Sequence, residues 1–359
     1  MSSLRFWIKN ARSISLPQSA LPCLTAIVLC IGQEGFVWWL SLPIFLGVCA
    51  LHLGMNLADD YFDFKHDSRI RADINRNSVR ARMEKCHYLH REGDNTTGEG
   101  ESPKATVSQL GWAIVGFLAF AALMGGIALV TQWLLHGWQA AMGIVLYAVL
   151  GLVVGINYSG KPLELGFHGL GELVIGLMFG PLCMLGVQAA MTGHIFSWEM
   201  ACISIAIGCL VTNIVYVHSV MEVDADAQLG KMTFARLLFE GPKRKGKEDK
   251  GKKRMIIYIG VFAIMPFALL GLGIVLGWWS PWYLMTLLTL PMSIFLIHST
   301  RLFAYGLPRN DKPRWWMGPM GEWDKYVKAG MDWFLFRWLL ARNICTFFCL
   351  ILIIVHLLN

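Results

Sequence analysis

The stretch "NLADDYFDFKHD", Asn56 to Asp67, decides how the chain is read. It ends an apolar run, and it carries four aspartates, Asp59, Asp60, Asp63 and Asp67, within nine residues. On a helix that continues to Asp67, Asn56, Asp60, Asp63 and Asp67 recur at i, i+4, i+7 and i+11. At about 100° per residue they share a face within roughly 60° of arc, with Asp59 flanking it. A helix end that has simply reached water explains one or two acids, not four on one face below an Asn. Like charges so placed repel. A divalent cation removes the conflict, and an all-oxygen carboxylate set suits a hard ion such as Mg²⁺ together with substrate phosphates.

The surroundings are those of a lipid-embedded chain. Of 359 residues, 55% are hydrophobic and only 15% charged, with mean hydropathy +0.51. A bilayer crossing takes about 20 mostly apolar residues. Nine runs meet that need: Ile14–Gly32, Val37–Asp59, Val107–Val130, Trp138–Ile156, Leu170–Met191, Met200–Val223, Met255–Leu276, Trp282–Leu302 and Phe336–Leu358. They are too long, and lack the alternation, for a membrane barrel. The expectation is an all-α integral membrane protein with nine transmembrane helices, one domain over 1–359. The first run is read as a retained helix, not a cleaved signal.

Charge orients the bundle. All 31 Lys and Arg fall in the N-terminal segment, in 65–104, at Lys161, in 231–254 and in 301–342. Nine helices put these segments on one side. The opposite connections, "GQEGF", "TQWLLHGW", "MTGHIFSWE" and "GWWSPW", hold none and are rich in Trp. The positive-inside rule then predicts a cytoplasmic N-terminus and site, with the C-terminus opposite, in a plasma or inner membrane. The net charge of +7 is explained by topology and by attraction to anionic membrane lipid, so no nucleic acid is expected. No obligate protein partner is evident.

Two polar segments, 65–105 and 303–335, read as cytoplasmic loops able to cap the bundle. The first contains "GDNTTGEGES", a turn-rich tip; the second mixes aromatics with charge. Cys86, His87 and His90 offer too few ligands for a strong zinc signature. The other cysteines lie in or near apolar runs, where a thiol acts as a small hydrophobe. His52, His298 and His356 are expected to bond within the bundle, and Gly169, Gly171, Gly176 and Gly180 to permit close helix packing. Glu172 is open to either a functional or a structural reading.

A second acidic cluster, "VHSVMEVDADAQLGKMTFA", ends the sixth run. Glu222 and Asp226 share a face at i, i+4, while Asp224 points elsewhere. Two clusters, four helices apart and on one side, predict two related four-helix halves facing across a pocket, plus a ninth helix.

Together these residues resemble the UbiA-type membrane prenyltransferases, whose pattern is two aspartate-rich motifs on helices 2 and 6 of a nine-helix bundle. "WIKNARSISLPQSALP" is similar to the family's first helix, with Arg12 at its basic position. "NLADDYFDFKHD" resembles the first motif and "DAQLGKMTFA" the end of the second. "YSGKPLELGFHGLGELVIGLMFGPLCMLG", Tyr158 to Gly186, resembles the branch that prenylates dihydroxynaphthoate in menaquinone synthesis. The second motif departs from the pattern: His218, Met221 and Glu222 stand where the family has Asn, Arg and Asp.

The resemblance implies Mg²⁺-dependent transfer of a prenyl group from a polyprenyl diphosphate to an aromatic acceptor. Asp60, Asp63, Asp67, Glu222 and Asp226 would be the catalytic metal ligands. Arg12, Asn56, Asp59, Tyr158, Lys161 and Lys231 would bind the diphosphate. Rival readings are the same enzyme acting on a benzoate, a tetrapyrrole or a lipid alcohol, and a transporter or lipid-binding protein on the same fold.

Overall fold

The computed structural model describes residues 3–67, 88–89, 104–228 and 230–359, with the side chains of Asp63, Lys65, His66, Asp67 and Ser159 outside the description. The chain is helical: α1 Leu4–Asn10, α2 Pro17–Leu29, α3 Ser41–Asp67, α4 Val107–His136, α5 Trp138–Ser159, α6 Gly171–Leu177, α7 Cys183–Thr192, α8 Trp198–Met221, α9 Val223–Gln228, α10 Phe234–Lys243, α11 Glu248–Val275, α12 Leu290–Ala304, α13 Trp323–Lys328 and α14 Asp332–Leu358. Helices α6 and α7 join through a π-helical turn, Met178–Leu182, at Pro181, and a 3₁₀ stretch, Pro281–Thr289, leads into α12.

Eight helical stretches among the described residues are long and apolar enough to cross a membrane. The first apolar run forms a shorter helix than the expected span. A 3₁₀ turn, Ser13–Ser15, precedes α2, and the apolar helical stretch Ser13–Leu29 is shorter than the eight. Other spans outgrow their apolar runs. The expected loop "TQWLLHGW" is reduced to Gly137, whose φ of 84° ends α4 directly against α5. The last span starts at Asp332 and takes Arg337 inside, where its charge is met by Asp311.

The core gathers around α8, whose neighbours include α2, α6, α11 and α14. Close packing of α6 and the π-helical turn on α8 depends on missing side chains. A Cβ at Gly180 would stand 2.5 Å from the Ser204 carbonyl oxygen, and one at Gly176 would overlap the Thr212 hydroxyl. Gly176 and Gly180 are thus packing positions, as expected. The eight described cysteines are free thiols, buried or half-buried. His52 lies within bonding reach of Ser15 and Ser19, and His356 of the Tyr283 hydroxyl at 2.8 Å. His298, expected inside the bundle, is exposed beside the 305–331 connection.

Candidate active site

Helix α3 does continue to Asp67, which is the condition for its acids to share a face. Its end is held by a smaller apolar cluster in which Trp7, Ala11, Leu53, Leu57, Tyr88, Leu89, Ala105 and Leu110 are buried. This cluster docks the α1–α2 corner on α3. At that corner Arg12 adopts a left-handed backbone, φ 57° and ψ 47°. The conformation is costly for a side-chain-bearing residue, so it marks a position held by its surroundings.

The corner delivers the Arg12 guanidinium to the acids. Its Nη2 donates to the Asn56 carbonyl at 2.9 Å and to Asp59 Oδ2 at 3.1 Å, and lies 3.3 Å from Asp60 Oδ1. The Asn56 side chain turns the other way, donating to the Ala11 carbonyl at 2.9 Å and the Ser15 hydroxyl at 3.2 Å. Asn56 thus ties the corner to α3. Asp60 is 2% exposed, and the Tyr88 hydroxyl donates to its Oδ2 at 2.9 Å. The repulsion expected between Asp59 and Asp60 is met here by one guanidinium and one phenol.

The second cluster sits at a helix break. Helix α8 ends at Met221, Glu222 is its C-cap, and α9 follows. Glu222 and Asp226 are 3% and 2% exposed, and the Asp226 N–H donates to the Glu222 carbonyl at 2.8 Å, carrying helical geometry across the break. His218 Nε2 lies 2.6 Å from Glu222 Oε2. The His218 ring also meets Phe334 of α14 edge-on, centroids 4.9 Å apart. Asp224 faces outward, 3.8 Å from the Lys243 ammonium.

The turn after α9 is closed from within and from α6. The Lys231 N–H donates to the Asp226 carbonyl at 3.0 Å; the buried Arg236 donates to the same carbonyl at 3.2 Å and to the Lys231 carbonyl at 2.6 Å. The 158–172 connection packs on this turn. His168 bridges Met232, and the Gly169 N–H donates to the Met232 carbonyl at 3.1 Å. Glu172, 4% exposed, accepts the Phe234 N–H at 3.1 and 3.2 Å, satisfying an amide at the start of α10. Tyr158 is half-buried with its ring near Gly166 and Gly171, while Lys161 is exposed.

The structure therefore brings Arg12 to Asn56, Asp59 and Asp60, and gathers Glu222, Asp226 and Lys231 at one turn. Helix α2 packs against both α3 and α8, which carry or precede the two clusters. The carboxylates of Asp63 and Asp67 lie outside the described residues, as do Cys86, His87 and His90. Among the described residues no three His, Cys, Asp or Glu side chains converge as a metal centre. The described acids nevertheless fit a hard cation in kind: Asp60, Glu222 and Asp226 are buried carboxylates, with no thiol among them. Sequence reasoning missed Tyr88, Phe334 and Arg236, and left Glu172 open.

Residues 106–317 match the UbiA prenyltransferase family over more than half of the chain. The chain belongs to the UbiA prenyltransferase family. It is a membrane enzyme that transfers prenyl groups. Among UbiA relatives it is 25% identical over 297 residues to a 1,4-dihydroxy-2-naphthoate octaprenyltransferase of Mycobacterium tuberculosis, covering 82% of this chain and 85% of the relative. A protein of that name from Bacillus subtilis is 25% identical over 285 residues, 79% and 78% of the two chains. The UbiA fold is seen too in a solved digeranylgeranylglyceryl phosphate synthase, with TM-score 0.50 and 14% identity over 96% of this chain and 99% of that one. The family match includes the second acidic cluster and starts after the first.

Proposed function

We propose that this prenyltransferase joins a polyprenyl group to an aromatic acceptor, dihydroxynaphthoate, in a Mg²⁺-dependent reaction of menaquinone synthesis. The observation that carries the reading is the likeness to relatives named for that reaction along most of both chains. The buried acids at the ends of α3 and α8 support it.

In this reading Asp60, Asp63 and Asp67 on one side, and Glu222 and Asp226 on the other, hold the cation that accompanies the diphosphate. Mg²⁺ supplies Lewis-acid neutralisation of diphosphate oxygens. The chain's own residues do the rest. Arg12, Lys161 and Lys231 carry the positive charge that meets a departing diphosphate anion. Arg12 is placed for this by its bonds to Asn56 and Asp59. Tyr158 helps position substrate. The allylic C–O bond breaks with its electron pair on the diphosphate. An electron-rich ring carbon then bonds the prenyl carbon, and with dihydroxynaphthoate that carbon's carboxylate leaves as CO₂, its bonding pair returning to the ring. The apolar bundle keeps water from the cation.

The two clusters would face each other across two related helical halves, on the cytoplasmic side with the N-terminus. The 303–335 segment would act as a cap over a single domain. A transporter would place its acids near the bilayer midplane. Asp59 and Asp60 instead lie in the last turn of the span Trp38–Phe62, and Glu222 follows the span Trp198–Met221.

The test is direct. Purified protein is incubated with Mg²⁺, prenyl diphosphates of several lengths and a panel of naphthoate, benzoate, tetrapyrrole and lipid-alcohol acceptors, and products are read by mass spectrometry. Prenylated naphthoate with loss of carboxylate supports the proposal. Turnover only with another acceptor rejects it.

A further inference from the structure

Where α12 gives way to the 305–331 connection, a cavity of about 390 Å³ opens between the helix and its returning strap. Helix α12 lines it with Phe295, His298, Ser299 and Leu302, and the strap with Arg309 and Arg314. None of the carboxylates assigned to prenyl transfer lines it. We infer that this cavity binds a phosphate-bearing anion, most readily the headgroup of an anionic phospholipid.

Charge is the first ground. The acid in the wall, Asp311, is already engaged. The fully buried Arg337 grips both its oxygens, at 2.7 and 3.1 Å, and Arg309 Nε donates to Oδ2 at 2.9 Å. Arg314 adds a third guanidinium, held 5.2 Å from the Phe295 ring centroid. Three guanidiniums therefore stand against one carboxylate. Arg309 and Arg314 are exposed, so their remaining N–H groups reach an incoming ligand. Guanidinium forks match phosphate oxygens in geometry and charge.

The second ground is a buried polar atom. Ser299 is 3% exposed and lines the cavity, yet its hydroxyl oxygen is buried with no hydrogen-bond partner. A buried hydroxyl left unpaired is unfavourable, and a phosphate oxygen is an acceptor that would satisfy it.

The third ground bears on the source of the phosphate. Phe295 and Leu302 form an apolar wall continuous with a membrane-spanning helix, and Trp315 on the strap is 94% exposed. Exposed Trp next to basic residues is the pattern of a membrane–water interface. A ligand with a phosphate head and acyl chains fits this combination better than a free phosphate ion.

The experiment uses the full chain, delipidated in detergent. Binding of phosphatidylglycerol and phosphatidylcholine is measured by native mass spectrometry, with inorganic phosphate and inorganic diphosphate as competitors. The expected result is at least about tenfold preference for phosphatidylglycerol, reduced about tenfold by Arg314→Gln and by Ser299→Ala, each loss being one charged or polar hydrogen bond. Arg314 is exposed and the Ser299 hydroxyl bonds nothing, so both variants should fold, which their elution profiles check. Displacement by millimolar inorganic phosphate, with no lipid preference, would keep the anion site and assign it to a soluble phosphate. Equal binding of the two lipids with no phosphate binding, or variants that bind as wild type does, would overturn the inference.

Discussion

The phenol of Tyr88 donates to the Asp60 carboxylate at 2.9 Å, while Arg12 lies 3.3 Å away on the other oxygen. Tyr88 and Asp60 are 28 positions apart, and both are buried. Tyr88 therefore orients the acid that, in the proposed reading, the first motif would offer to a cation. Tyr88→Phe keeps the ring packed against Phe6 and Trp7 and removes the one hydroxyl. A hydrogen bond to a charged group is worth about 1.5–3 kcal/mol, so kcat/KM for the prenyl diphosphate should fall about ten- to a hundredfold. Unchanged kinetics in a folded variant would remove Tyr88 from the site.

Glu222 replaces the family's shorter acid and stands against His218 at 2.6 Å. If it ligates the cation, Glu222→Gln should be severe and Glu222→Asp mild, because Mg²⁺ tolerates little departure from octahedral geometry. Each tenfold loss is about 1.4 kcal/mol of transition-state stabilisation, so steady-state kinetics rank the two on one scale. Wild-type rates in Glu222→Gln, beside an inactive Asp226→Asn, would leave Asp226 to carry the second cluster.

Glu172 is predicted to act structurally. Its carboxylate takes the Phe234 amide, which joins α6 to the turn after α9. Glu172→Gln keeps an acceptor for the amide and should be mild. Glu172→Leu strands a buried N–H at a cost of about 1–3 kcal/mol and should lower the melting temperature in detergent. Equal melting of Glu172→Leu and wild type would contradict this.

Most of the bundle was legible because a membrane span is a local signal: length and apolar content suffice. The acids of α3 were legible for a similar reason, since helical periodicity converts spacing into a shared face. What escaped was long-range. Nothing in the polar stretch around Tyr88 marks it as a partner of Asp60, because pairing across a connection leaves no period. Arg337 fell within the last apolar run, but nothing in the sequence marked its partner: Asp311, 26 residues earlier, makes its burial tolerable. The length of the first helix was not legible either: its apolar run continues to Gly32, but α2 ends at Leu29, because composition does not register where a helix stops.

Orientation is open to labelling. In a cysteine-depleted background, a cysteine at Trp278, between α11 and the 3₁₀ stretch, should react with an impermeant thiol reagent from outside. One at Lys245 should react only after the membrane is opened. The reverse pattern would place the acidic clusters away from the cytosolic pool of prenyl diphosphate.

The central claim is that buried carboxylates at the ends of two helices hold the metal-bound diphosphate. Prenyl transfer titrated against Mg²⁺, in wild type, Asp60→Asn and Asp226→Asn, tests it most directly. Wild type should turn over only with the cation. Each variant should remain folded and lose about a hundredfold or more, the loss of a ligand charge costing about 3 kcal/mol or more. Wild-type turnover in excess chelator, or full activity in both variants, would contradict the account.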